Sequence, residues 1–214
     1  MKAASLTEVE DYCKRLQASL NKLCKKLGVI QIGTTKQFPD GWGKAAKGRT
    51  VWRIVEEAIN QNLKKEKVAL GFDKVCPSDA EASIFDVEVS FTGDPRTLYL
   101  NFKAAVAGKE TKKGDISKAE KLVQFFDGGA SRQLFFVTFG IAFHTDMTIE
   151  IKDCLVTPIA WLPDIYVNPS NNGNLQCSQP KTLNGATKRT NANFLSTLKS
   201  AMATADKKRK SKSK

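Results

Sequence analysis

Asp86, Asn101 and Lys103 are the residues whose types and spacing suit chemistry on a charged substrate. Phe85, Val87, Val89 and Phe91 alternate with Asp86, Glu88 and Ser90, the period of two of a strand with one apolar and one polar face. A turn follows at Thr92-Gly93-Asp94-Pro95-Arg96. Beyond it Leu98, Leu100 and Phe102 face the core, which leaves Tyr99, Asn101 and Lys103 on the other side. Folding this hairpin about Gly93 and Asp94 brings Asp86 and Asn101 to one face of adjacent strands, directly opposed or one diagonal apart, with Lys103 two residues further on. An acid, a second oxygen ligand and a lysine on one patch suit holding Mg²⁺ beside a phosphodiester. Hard oxygens hold the ion, while the ammonium orients the attacking water and offsets the charge that builds on phosphorus.

At these residues the chain resembles the PD-(D/E)XK nuclease superfamily, and more narrowly its type II restriction endonucleases. The family pattern is an Asp on one strand, a spacer, then Asp/Glu-x-Lys on the next; here it reads Asp86, fourteen intervening residues, and Asn101-Phe102-Lys103. Phe85 stands where the family often has Pro. Asn101 replaces the second carboxylate, so an amide oxygen would hold the cation more weakly unless Glu88 or another acid helps. The resemblance implies Mg²⁺ as cofactor, with Asp86, Asn101, Glu88 and Glu56 as candidate ligands and Asp86, Asn101 and Lys103 as the catalytic set.

Composition points to a polyanionic partner. Thirty-four Lys and Arg against 22 Asp and Glu give a net charge of +12 and a pI near 9.5. Six of the last eight residues are basic, and subtracting them still leaves +6. Hydrophobic content of 41% and charged content of 26% are ordinary for a globular chain. No apolar run suits a bilayer and the first residues do not resemble a signal peptide, so an intracellular, cytoplasmic protein without a membrane contact is expected. Cys13, Cys24, Cys76, Cys154 and Cys177 are scattered without a C-x-x-C pair, which argues against a zinc site or a disulfide framework. His144 is the only histidine, and neither a P-loop nor a G-x-G-x-x-G appears, so His-metal, Ser-His-Asp and nucleotide-driven chemistry lose support.

The elements that must position the patch can be read in order. Ser5-Leu6-Thr7-Glu8 is a capping-box pattern, and Leu6, Val9, Cys13, Leu16, Leu20, Leu23 and Leu27 make an unbroken helical stripe ended by Gly28, either a core face or a dimer seam. Gly33–Arg49 reads as a basic loop. Lys44, Lys47 and Arg49 suit phosphate contacts, and Trp42 either packs on the nucleic acid or tucks into the core. Thr50–Leu63 predicts an amphipathic helix. Relatives in the resembled family place a Glu in this helix at a position matching Trp52 here, so Glu56, one turn later, is the substitute.

A strand at Val68–Phe72 precedes a polar connection and the hairpin. A basic loop with Lys109, Lys112 and Lys113 follows, then a helix capped by Ser117 and Glu120, and a buried central strand at Leu134–Phe143. This order looks like the superfamily's αβββαβ core, so the expected fold class is α/β (α+β) with a mixed central sheet flanked by helices. Thr148–Ile151 and Cys154–Val156 predict two short strands. Asn168-Pro169-Ser170-Asn171-Asn172-Gly173-Asn174-Leu175-Gln176 resembles an Asn-Pro-x-Asn-x-Gly-x-Leu-Gln tract of some restriction enzymes, with Asn168, Asn171, Asn172, Asn174 and Gln176 as base readers. Lys188 and Arg189 lead into a last helix, Ala192–Thr204, before a disordered basic tail.

The sequence therefore predicts one domain over residues 1–206, with residues 50–143 as catalytic core. The expected function is a sequence-specific, Mg²⁺-dependent endodeoxyribonuclease of the type II restriction class, acting as a homodimer on double-stranded DNA without a nucleotide cofactor. The rivals are a junction resolvase or repair nuclease of the same superfamily, and a non-catalytic DNA-binding protein on that scaffold.

Overall fold

Ser5 and Glu8 close the capping box reciprocally: the Ser5 hydroxyl accepts from the Glu8 N–H (3.2 Å) and the Glu8 carboxylate from the Ser5 N–H (2.7 Å). Helix α1 (Leu6–Leu27) starts there and stops at Gly28, whose φ of +57° a side chain would resist. The computed structural model describes residues 2–43, 51–78, 83–107, 113–129, 131–170, 173–178 and 183–212. Among the described residues no helix is long and apolar enough to cross a membrane.

The main sheet has six strands: β1 (Val29–Gln31), β2 (Phe72–Pro77), β3 (Val87–Phe91), β4 (Leu98–Val106), β6 (Gln133–Phe143) and β7 (Thr148–Pro158), in the order β1-β7-β6-β4-β3-β2. The β4–β6 pair is parallel and the others are antiparallel, so the sheet is mixed. Three shorter strands, β5 (Lys113–Lys118), β8 (Tyr166–Val167) and β9 (Asn174–Ser178), form a second sheet. Helices α1 and α2 (Val51–Lys65) cover one face of the main sheet. There Arg15 lies 4.0 Å over the Phe91 ring. Helices α3 (Ala119–Asp127) and α4 (Asn191–Lys212) cover the other, where Phe125 meets Tyr99 edge-on at 5.0 Å. The expected αβββαβ order is present as α2-β2-β3-β4-α3-β6.

Leu16, Leu20 and Leu23 of α1 are fully buried within this one chain, so of the two roles open to the stripe, core face or dimer seam, these residues take the core face. The reason is the open face of β7, which α1 covers. β1 pairs with β7 only over Thr148–Glu150, and further along the Gln17 amide takes over. Its Nε2 donates to Cys154 O (2.7 Å) and its Oε1 accepts from Val156 N (2.9 Å). Gln17→Ala leaves both buried backbone groups unpaired and is expected to cost about 2 kcal/mol in urea unfolding. A loss no larger than that of an exposed helix substitution would show that the amide bonds are dispensable.

Four boundaries differ from the sequence reading. The strand expected at Val68–Phe72 lies at Phe72–Pro77, because Glu66–Gly71 continue from α2 in hydrogen-bonded turns that leave Val68 79% exposed. The two strands expected around Lys152 and Asp153 are one strand. The register passes from Gly140↔Asp153 to Ile141↔Ile151, so Lys152 is a bulge residue that interrupts the alternation without ending the strand. A Cβ on Gly140 would lie 2.3 Å from the Asp153 Oδ1, the end of an exposed side chain that can turn aside. Ser117 does not cap α3, since Lys113–Lys118 are paired into β5 and Lys118 holds the cap position without a side-chain bond.

Finally, α4 runs to Lys212 where Thr204 was the expected end and the following tail was expected to be disordered. Its Ala, Met, Lys and Arg residues favour helix, and Arg209 both pairs with Asp206 (3.5 Å) and donates from Nε to Pro169 O (3.2 Å).

Candidate active site

The β3–β4 register pairs Val87 with Leu100, and one further step sets Asp86 opposite Asn101. Asp86 is held by its backbone: its N–H donates to Leu100 O (2.8 Å) and its carbonyl accepts from Ser78 N (2.8 Å). Its carboxylate accepts from the Phe102 N–H, so the side chain replaces a main-chain partner where β3 begins. Burial pushes the Asp86 carboxyl above its ordinary range; the Phe102 N–H, Lys103 and Arg53 pull it back.

Asn101 is 6% exposed, and its Nδ2 donates to Ile84 O at 3.0 Å. That bond fixes the amide and leaves Oδ1 buried without a partner among the described residues. Lys103 is half-buried. Burial lowers its ammonium pKa, while Asp86 and Glu56 raise it. From α2, Glu56 completes the group: burial and then repulsion from Asp86 push its carboxyl up, against Arg53 and Lys103. Arg53 Nη1 sits 3.3 Å from Glu56 Oε2. Arg53, Glu56, Asn60, Ser78 and Asp86 all line one cavity of about 450 Å³, and Asn60 Oδ1 is a second buried oxygen without a partner. A third is the Thr138 hydroxyl, on the β6 residue that pairs with Lys103.

These donors fit a hard divalent cation. Two carboxylates held at raised pKa repel each other, and a cation between them would relieve both. The orphaned Asn101 oxygen is what such an ion would satisfy. Among the described residues no group of three His, Cys, Asp or Glu could hold a metal.

The structure brings Asp86, Lys103 and Glu56 together and sets Asn101 opposite Asp86 on β4, but does not add Glu88, which pairs with Lys74 of β2 at 2.9 Å. Arg53 and Asn60 escaped the sequence reading. Their spacing from Glu56, three residues before and four after, was the available signal, since it puts all three on one side of a helix.

Of the candidate DNA contacts, Lys44, Lys47, Arg49, Lys109, Lys112, Asn171 and Asn172 lie outside the described residues, and Lys113 is described only through its backbone in β5. Asn168 donates from Nδ2 to Gln176 Oε1 (3.2 Å), while Gln176 and Asn174 donate to Asp115 at 2.7 and 3.1 Å. These amides therefore bond within the second sheet. Lys188 pairs with Glu10 at 2.6 Å, and the Arg189 guanidinium donates to the carbonyls of Ala160 (3.1 Å) and Leu162 (2.7 Å). The reason is local: the short 3₁₀ turn Ile159–Trp161 exposes carbonyls that need a donor. Trp42 is tucked against the fold, its indole N–H on His144 O (2.7 Å) and its ring 5.1 Å from Phe143.

No family model matches the chain, and no curated protein matches it in sequence. Among solved structures the NlaIV restriction endonuclease is similar to it at 14% sequence identity and a TM-score of 0.48, over 77% of this chain and 70% of that one.

Proposed function

We propose that the chain is a Mg²⁺-dependent, sequence-specific endodeoxyribonuclease of the type II restriction class, cutting double-stranded DNA. The observation that supports this reading is the mutual proximity of Asp86, Glu56 and the half-buried Lys103, with the buried Asn101 amide opposite Asp86 on the next strand. When bound, Mg²⁺ supplies Lewis-acid polarisation of the phosphate and a water made more acidic. Asp86 is the principal ligand, oriented by the Phe102 N–H. Asn101 offers its amide oxygen, aimed by the bond to Ile84. Glu56 adds charge from α2 in place of the missing second strand carboxylate. Lys103 positions the attacking water and offsets charge developing on the phosphate. The resemblance to the PD-(D/E)XK superfamily implies 5′-phosphate and 3′-hydroxyl ends. A homodimer is the simplest way to cut both strands, and its contact must lie elsewhere than the α1 stripe.

Digestion of long natural DNA with Mg²⁺ should give a fixed ladder of fragments that chelator abolishes. Preference for branched substrates would point to a resolvase, and binding without metal-dependent cutting would leave a non-catalytic DNA-binding protein.

The same cluster predicts a stability effect. Because folding raises the Asp86 pKa above its ordinary 3.8, Asp86 favours the fold when protonated and that contribution is lost as pH rises through the folded value. Asp86→Asn keeps an acceptor for Phe102 N–H without the charge. At neutral pH and without metal it should be more stable than wild type by ~1 kcal/mol, a Tm rise of roughly 2–4 °C. The gap should close as pH falls to 3.8 and below. A variant less stable at neutral pH would contradict the strained acid cluster.

A further inference from the structure

We propose that the distal end of α4, together with Tyr166 and Pro169 beside it, forms one ordered docking surface for duplex DNA. The inference takes from the proposed function only that DNA is the ligand. Ala205 is the last buried residue of α4, and Asp206 to Ser211 are exposed although the helix continues to Lys212. The overhang extends about 10 Å at the rise of an α-helix. Lys207, Lys208, Arg209, Lys210 and Lys212 lie on it, with Asp206 as its one acid. One or two cations in a last turn suffice to complement the helix dipole, and five over two turns exceed that role.

The overhang is tied to the β8–β9 connection. Arg209 donates from Nε to Pro169 O (3.2 Å), and a Cβ on Gly173 would lie 3.8 Å from the Arg209 guanidinium. The described flanks of that connection are held by Asn168 N–H on Asn174 O (2.9 Å) and Ser170 N–H on Asn168 Oδ1 (2.8 Å). Tyr166, 40% exposed, and Lys208 border one groove of about 280 Å³ between β8 and α4. An exposed aromatic and a rigid row of cations side by side are parts a regular double helix can meet at once, the helix gripping successive phosphates. A shapeless basic tail would hold any polyanion equally.

The test is fluorescence anisotropy of the full chain with labelled DNA, free of divalent cations so that nothing is cut, over a range of salt. Replacing Lys207, Lys208, Lys210 and Lys212 together by Gln should weaken duplex binding ~100-fold near 0.1 M salt and reduce the slope of log K against log salt by about 3–4. Lys208→Pro and Lys208→Gln remove the same charge, but proline also breaks the helix. Lys208→Pro should therefore bind roughly 5-fold more weakly than Lys208→Gln, with unchanged thermal unfolding of the core. Equal binding by those two, wild-type binding by the fourfold variant, or equal affinity for single strands overturns the ordered duplex surface. Failure of the wild type to bind DNA overturns it along with the nuclease reading. The expected binding pattern in a protein that never cuts supports the surface and overturns the nuclease reading alone.

Discussion

Asp86→Ala and Lys103→Ala are each expected to slow Mg²⁺-dependent DNA cleavage by about three orders of magnitude or more while leaving duplex affinity within a few-fold of wild type. A thousandfold loss corresponds to about 4 kcal/mol of transition-state stabilisation, the scale of removing a principal metal ligand or a group that offsets developing charge. Binding is spared because most of the affinity of a protein for DNA comes from contacts spread along the phosphate backbone, and this site would touch one phosphate. Neither substitution removes core packing: Asp86 and Lys103 are both half-buried, Asp86 on the wall of the cavity, whereas the neighbouring Leu100 and Phe102 are buried in the core. Single-turnover cleavage and anisotropy on the same preparations would settle it. Near-wild-type cutting by both variants removes this site from the chemistry.

Asn101→Leu is expected to separate catalysis from stability. The amide makes one hydrogen bond, to Ile84 O, and leaves its oxygen unpaired in a buried position. Replacing it with an apolar group of similar size removes the unsatisfied oxygen but also leaves Ile84 O without its donor, so unfolding free energy should fall by about 1–2 kcal/mol, too little to unfold the chain. If that oxygen holds a cation, Mn²⁺ affinity measured without DNA should fall about 10-fold and cleavage about 100-fold. A large loss of stability with unchanged metal affinity would make Asn101 a structural residue. Asn101→Asp is the complementary variant: a carboxylate there should tighten Mn²⁺ binding, since it adds charge to the same ligand position.

Several features were legible in the residues alone because their causes are local. The Ser5–Glu8 box and Gly28 delimit α1 through bonds between residues three or four apart. Strict alternation around Val87, Val89, Leu98 and Leu100 defines the hairpin, and the residues of the Thr92–Arg96 turn set its register within one step. The near-continuous apolar run of β6 signals a strand covered on both faces, and it pairs with neighbours on both sides in the sheet. What alternation cannot show is continuity through a bulge, which is why β7 reads as two strands in sequence. Nor can it show that Lys113–Lys118 leave the main sheet for a second one, because a short polar strand has no apolar face to announce it.

The candidate site divides in the same way. Sequence spacing by itself determined that Asp86, Asn101 and Lys103 share one face of a hairpin, since side chains two apart on a strand must point the same way. It also determined the basic excess that points to a polyanion. Only the tertiary structure set Glu56 and not Glu88 beside Asp86. Glu88 lies closer in the chain but is held by Lys74 from the neighbouring strand, while α2 swings Glu56 against Asp86. Only the structure, likewise, turned Lys188 and Arg189 inward onto Glu10 and the carbonyls of the 3₁₀ turn, and laid the basic end of α4 against the β8–β9 turn. Local periodicity fixes which way a side chain faces on its own element, but its partner comes from a segment tens of residues away, and no spacing within one element encodes that choice.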